Sequence, residues 1–213
     1  YKAVPLYKRS ITIQEKRLGT DHPDLAKSLN NLALTFVSQG LLGKAEPLFQ
    51  RALLIKEKSL GIEHPSTAIA LNNLALLYDD QGLYSKAEPL FQRTLSINEK
   101  SLGDNHPETA TTLNNLSLNY FFQGLYNKSE PLFLRSLAIV EKVYGTDHLK
   151  TVGVLYNLAF LYDQKGLYNK SKSLYERAIR SSLTLIQRES PYLALDDRQA
   201  YANSFDRAHL VFN

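Results

Sequence analysis

Three kinds of residue in this sequence recur in a pattern that could do chemistry. Histidines stand at positions 22, 64, 106 and 148. Histidine is the commonest metal ligand and a ready proton carrier, so a ladder of metal sites is the first chemistry to consider. Neighbouring histidines lie one structural unit apart, roughly 10 Å or more by helix-packing dimensions. That is too far for shared ligation, so no metal site is expected, and each histidine is read as a helix starter. Asp79 and Asp80 form a carboxylate pair, the couple used in acid–base catalysis. Consecutive helical residues point apart, however, and no positioned nucleophile or histidine accompanies them. The sequence is therefore read as non-enzymatic, with no cofactor. Tyr78, Tyr120 and Tyr162 could stack on bases, but they fall on apolar stripes and are read as packing residues.

The last kind is asparagine. Leu71-Asn72-Asn73-Leu74-Ala75 recurs as Leu29-Asn30-Asn31-Leu32-Ala33, as Leu113-Asn114-Asn115-Leu116-Ser117 and as Leu155-Tyr156-Asn157-Leu158-Ala159. The second asparagine falls at 31, 73, 115 and 157, a constant step of 42. Asparagine has middling helix propensity, and a merely solvated helix face would use Lys, Glu or Gln. A carboxamide both donates and accepts hydrogen bonds. Repeated pairs of them mid-helix read as a hydrogen-bonding surface.

The elements that must hold these residues follow from the period. A fixed step of this size means one supersecondary unit copied along a stack, an all-α solenoid of antiparallel helix pairs. In the second copy, Glu63-His64-Pro65 starts a helix, since Pro is favoured at the first helical position. The helix is expected to run to Gln81 and stop at Gly82. Ser85-Lys86-Ala87-Glu88 reads as a capping box opening a second helix, which ends at Gly103. Both helices are expected to be roughly 17 residues long. On the first, Leu29, Leu32, Ala33 and Phe36 make one apolar stripe; on the second, Ala45, Leu48, Phe49, Ala52 and Leu53 make its match. At about 100° per residue, Lys27, Asn30, Asn31, Leu34 and Ser38 cluster away from that stripe. In later copies the same face holds Ile69, Asn72, Asn73, Leu76 and Asp80, then Thr111, Asn114, Asn115, Leu118 and Phe122, then Gly153, Tyr156, Asn157, Phe160 and Gln164.

Residues 1–18 match the second half of a unit, and four units follow from about 22, 64, 106 and 148. The repeat array thus spans 1–189. Residues 190–213 are read as a capping helix or linker: Ser190-Pro191 breaks the helix and Asp196-Asp197 can start another. The half unit lacks the first helix that would cover Leu6, Tyr7 and Ile11. That uncovered face makes self-association, as a homodimer, the alternative role. Cysteine is absent, which excludes disulfides and thiolate metal sites. Methionine is absent too, so a piece of a longer protein is expected. No apolar run approaches the ~20 residues of a membrane helix. The net charge of +4 is small and scattered, which argues against a nucleic-acid surface. A cytoplasmic protein without membrane contact is expected.

These motifs resemble tetratricopeptide repeats, and most closely the 42-residue repeats of kinesin light chain. The shared features are Leu-Asn-Asn-Leu-Ala-x-x-Tyr, the Gln-Gly-x-Tyr turn, Ala-Glu-Pro-Leu-Phe-x-Arg and the Gly-x-x-His-Pro linker. The resemblance implies a right-handed superhelix whose concave groove is lined by first helices, a scaffold for protein–protein interaction. It implies that Asn31, Asn73, Asn115 and Asn157 bond the backbone of an extended peptide, beside Asn30, Asn72, Asn114 and Tyr156. Leu34, Leu76, Leu118 and Phe160 would then form apolar pockets. Alanine at 73 and 115 is expected to weaken binding and leave stability nearly unchanged. The segment from Ile186 to Ala200 resembles the joint between such repeats and caspase-like CHAT domains in bacterial proteins, which implies a sensor module for a fused protease.

Overall fold

A His-Pro start and a Gly stop, repeated, should give helices of even length, and the computed structural model of the protein has them. It describes residues 3–189; the segment 190–213, including the proposed capping helix, lies outside the described residues. The described residues form nine α-helices: α1 (Ala3–Leu18), α2 (Pro23–Val37), α3 (Leu42–Leu60), α4 (Pro65–Asp80), α5 (Tyr84–Leu102), α6 (Pro107–Phe122), α7 (Tyr126–Tyr144), α8 (Leu149–Gln164) and α9 (Tyr168–Glu189). Even helices α2 to α8 are the first helices of the units, and odd ones are the second. The fold is an all-α helical repeat of the solenoid class. First helices span 15 or 16 residues, and α3, α5 and α7 span 19. The extra turn in the second helix is part of what lengthens the unit to 42.

The chain divides into two compact units, Tyr1–Asn119 and Tyr120–Asn213. In the first, α1 packs on α2, α2 on α3, α3 on α4 and α4 on α5. In the second, α7 packs on α8 and α8 on α9.

The histidines do start helices. His64 is extended (φ −75°, ψ 140°), and its Nδ1 accepts the Ser66 N–H at 3.1 Å, with Pro65 at the first helical position. That bond satisfies one of the four N–H groups a helix start leaves without partners. His22, His106 and His148 do the same for Asp24, Glu108 and Lys150. First helices end on glycine. Gly82 has φ +71°; its N–H bonds the Asp79 carbonyl and the Leu83 N–H bonds that of Tyr78, each at 2.8 Å. This is the Schellman arrangement, and the left-handed residue it requires is cheap only for glycine.

The capping box at Ser85 is not formed. Helix α5 starts at Tyr84, and Leu83 caps it through its backbone without a side-chain bond. Leu83 is already placed by the preceding turn, so the backbone enters the helix directly. Gly43 occupies the equivalent place in the previous unit and could not cap either.

The apolar stripes face one another. Leu29, Ala33, Leu71, Ala75, Ala45, Ala52 and Ala87 are almost wholly buried, as are Phe49 and Phe91. Alanines let the helices approach closely, and each phenylalanine fills the space this leaves; burying one contributes roughly 1.5–3 kcal/mol. Tyr78 is buried too, its ring under Lys86 Nζ at 5.4 Å and its hydroxyl donating to Glu46 at 3.2 Å. Tyr120 and Tyr162 are buried in the second unit, with Lys128 and Lys170 over their rings at 5.1 Å. The tyrosines are therefore core residues. Among the described residues no helix is long and apolar enough to cross a membrane.

Candidate functional site

The face left over by the core stripes carries the asparagines. In the first unit it is formed by α2, α4 and α6 up to Asn119. Asn30, Asn31, Asn72, Asn73, Asn114 and Asn115 are all half-buried. Leu34 is 45% exposed and Leu76 39%, while Leu118 is half-buried. Apolar side chains thus stand exposed in a row with the carboxamides on this face.

The carboxamides also bond one another. Asn73 Nδ2 donates to Asn30 Oδ1 at 2.8 Å, and Asn115 Nδ2 donates to Asn72 Oδ1 at 3.2 Å. The second asparagine of a unit thus reaches back to the first asparagine of the unit before. Each bond also ties one unit to the next. It uses one N–H of Asn73 and one lone pair of Asn30, and a carboxamide has two of each. Asn31 is different, because its side chain makes no hydrogen bond among the described residues.

In the second unit Asn157 is half-buried and so is Phe160, whose ring lies 5.1 Å from that of Phe121. Tyr156 is only 6% exposed and packs on Tyr175 at 5.9 Å between centroids. It offers little surface to a ligand. Of the residues proposed for self-association, Leu6 is 67% exposed and Tyr7 half-buried, but Ile11 is buried.

Asp79 and Asp80 sit at the C-terminal end of α4. Asn119 Nδ2 donates to Asp79 Oδ1 at 2.7 Å and to the Tyr84 carbonyl at 3.1 Å. Burial pushes the Asp79 carboxyl up to about 6; the Asn119 bond opposes this, and the neighbouring Asp80 charge adds to it. Burial raises Asp80 as well. Asp79 holds a structural bond, and the described residues contain no cluster of metal-ligating side chains.

Two sets of contacts escaped the sequence reading. Thr67, Thr109 and Thr151 each donate from Oγ1 to the carbonyl of the glycine six residues earlier, at 2.8, 2.9 and 2.7 Å. Their spacing of 42 was the available signal. Arg51 pairs with Glu15 at 2.7 Å, Arg93 with Glu57 at 2.5 Å, and Arg177 with Glu141. These partners lie in successive second helices, and no local pattern joins them.

The tetratricopeptide repeat family model matches residues 1–57, 38–100, 80–128 and 108–183. No curated protein matches the sequence. Among solved structures, BtubC (BKLC) from P. vanneervenii is 23% identical over 86% of this chain and 73% of its own, with a TM-score of 0.78. A putative kinesin light chain from Podosopora anserina with nearly identical TPR-like repeats is 26% identical over 86% of this chain and 87% of its own, with a TM-score of 0.74. A substituted form of that Podosopora anserina protein is 25% identical, with coverages of 87% and 88% and a TM-score of 0.77.

Proposed function

This chain belongs to the tetratricopeptide-repeat family, and on that footing we propose that it binds an extended segment of a partner protein along the face of α2, α4 and α6, without chemistry of its own. One observation supports this above the others. Half-buried carboxamides at Asn30, Asn31, Asn72, Asn73 and Asn115 stand on one face, beside Leu34 and Leu76, and each ladder bond uses only one group of each partner at Asn30, Asn72, Asn73 and Asn115. An extended main chain exposes alternating N–H and C=O groups, which carboxamides match on both counts. A rigid surface spares its own ordering entropy, so only the ligand is ordered on binding. In the second unit Asn157 and Phe160 continue the same residue pattern; Tyr156, being buried, is left out of the binding set.

The test uses Asn31, whose side chain can be removed without cutting a ladder bond. Peptides selected from a random displayed library would be titrated against wild type and Asn31→Ala. The variant should melt with wild type and bind roughly fivefold or more weakly, the worth of about one net hydrogen bond. Equal binding by both proteins would sink the proposal. Self-association through Leu6 and Tyr7 remains the second reading, supported by the exposure of Leu6. A monomer by light scattering at high concentration removes it.

A further inference from the structure

Between α4 and α6, over α5, the binding face opens into a cavity of about 480 Å³. Ile69 and Leu102 flank its mouth, exposed, and Asn72 and Asn73 of the ladder line it as well. Its depth is polar. Asn98 is 6% exposed and Thr112 only 2%, and both line it.

The bond between them fixes how the carboxamide points. Thr112 Oγ1 gives its single proton to the Glu108 carbonyl at 2.9 Å. Toward Asn98 it can only accept, so Asn98 presents Nδ2, at 3.1 Å. Oδ1 is turned the other way and accepts no bond among the described residues. One N–H of Asn98 is unused as well. A buried carboxamide with a free acceptor, opening on a cavity, is poised for a ligand group that donates.

Neighbouring units show that this chemistry is not demanded by the fold. Lys56 and Ala70 stand at the matching positions one unit earlier, and Val140 and Val154 one unit later, both buried in the second unit. Among the described residues Glu108 is the one carboxylate that lines the cavity, and it is exposed. A charged head at the bottom would meet only neutral groups, which is unfavourable. A purely apolar side chain would seal off Oδ1 without a partner.

We propose that this cavity is a side-chain subsite that selects glutamine in the bound peptide, its carboxamide donating to Asn98 Oδ1. The subsite rests on the peptide-binding proposal above. Glutamine is neutral, its two methylenes lie against Ile69 and Leu102, and its amide supplies a donor and an acceptor together. Sites built to bond a polar group reject analogues that lack it.

The test is random-peptide display on the whole chain, wild type and the double variant Asn98→Val with Thr112→Val. That variant copies the pair the second unit already buries, and its folding is checked by melting. Peptides selected on wild type should carry glutamine at one fixed place. Glutamine→Leu and Glutamine→Glu in those peptides should weaken wild-type binding about tenfold or more, and the leucine change should cost nothing on the double variant. Selected peptides without a fixed glutamine, or an equal leucine penalty on both proteins, overturn the subsite. If such peptides still weaken on Asn31→Ala, the binding face survives and the subsite alone falls. Peptides indifferent to Asn31→Ala, or no selected peptide at all, overturn both.

Discussion

Asn73 donates from Nδ2 to Oδ1 of Asn30, 43 residues earlier, at 2.8 Å. The bond joins the first helices of two successive units, and Asn115 repeats it on Asn72. Asn73→Ala is therefore expected to lower stability by about 1 kcal/mol, the usual net worth of one such bond, as well as to weaken peptide binding. Asn31→Ala should weaken binding alone. Urea titration of the two variants checks this: an unchanged midpoint for Asn73→Ala would show that the ladder carries no stability.

The histidine starts make a second expectation. Removing the His64 side chain leaves the Ser66 N–H without its partner at 3.1 Å. His64→Ala should cost about 1 kcal/mol, as loss of a side-chain cap commonly does. His64→Asn should recover most of it, because its Oδ1 can reach the same N–H. Thermal unfolding of the two variants side by side decides the matter; equal losses would mean the bond is not what histidine contributes.

Asp79 makes stability depend on pH with a definite sign. Its folded carboxyl titrates at about 6, above its ordinary value of 3.8. Between those two values the folded chain holds a proton that the unfolded chain has released. Stability is thus greater below the lower value and falls as pH rises through the window, with the loss complete above the upper one. Asp79→Asn keeps an acceptor for Asn119 and cannot ionise. It should match wild type near pH 4 and exceed it at pH 7, by less than the full shift implies because the group is partly solvated. Urea midpoints across that range that stay parallel for the two proteins would refute it.

Two glycines are expected to behave oppositely. At Gly82 a Cβ would meet nothing within 4 Å, but φ is +71°. Alanine there should cost about 1 kcal/mol through the backbone alone. Gly153 lies inside α8 with equal space around it and no positive φ. Alanine there should stabilise by roughly 0.5–1 kcal/mol by restricting the unfolded chain. A melting temperature that rises for the Gly82 variant, or falls for the Gly153 variant, would contradict the account of that glycine.

Features that depend on near neighbours and on copying were legible in the order of residues. The step of 42 set the expected copies, the His-Pro and Gly signals placed the ends of first helices, and the three-and-four spacing picked out Leu29, Ala33, Leu71 and Ala75 as core. Such signals act within a turn or two of the chain, so one stretch carries the whole message. It failed at Ser85, where the local motif was present but the preceding Schellman turn had already placed Leu83 as the start. It also missed Tyr156, whose burial depends on Tyr175 in the following helix. The packed fold alone brings Asn73 to Asn30, Asn119 to Asp79, and Asn98 to Thr112 beside a cavity. Those partners lie from 14 to 43 residues apart. Whether they touch depends on how far one helix pair is rotated and shifted against the next, a quantity that packing of the whole stack sets and no local spacing encodes.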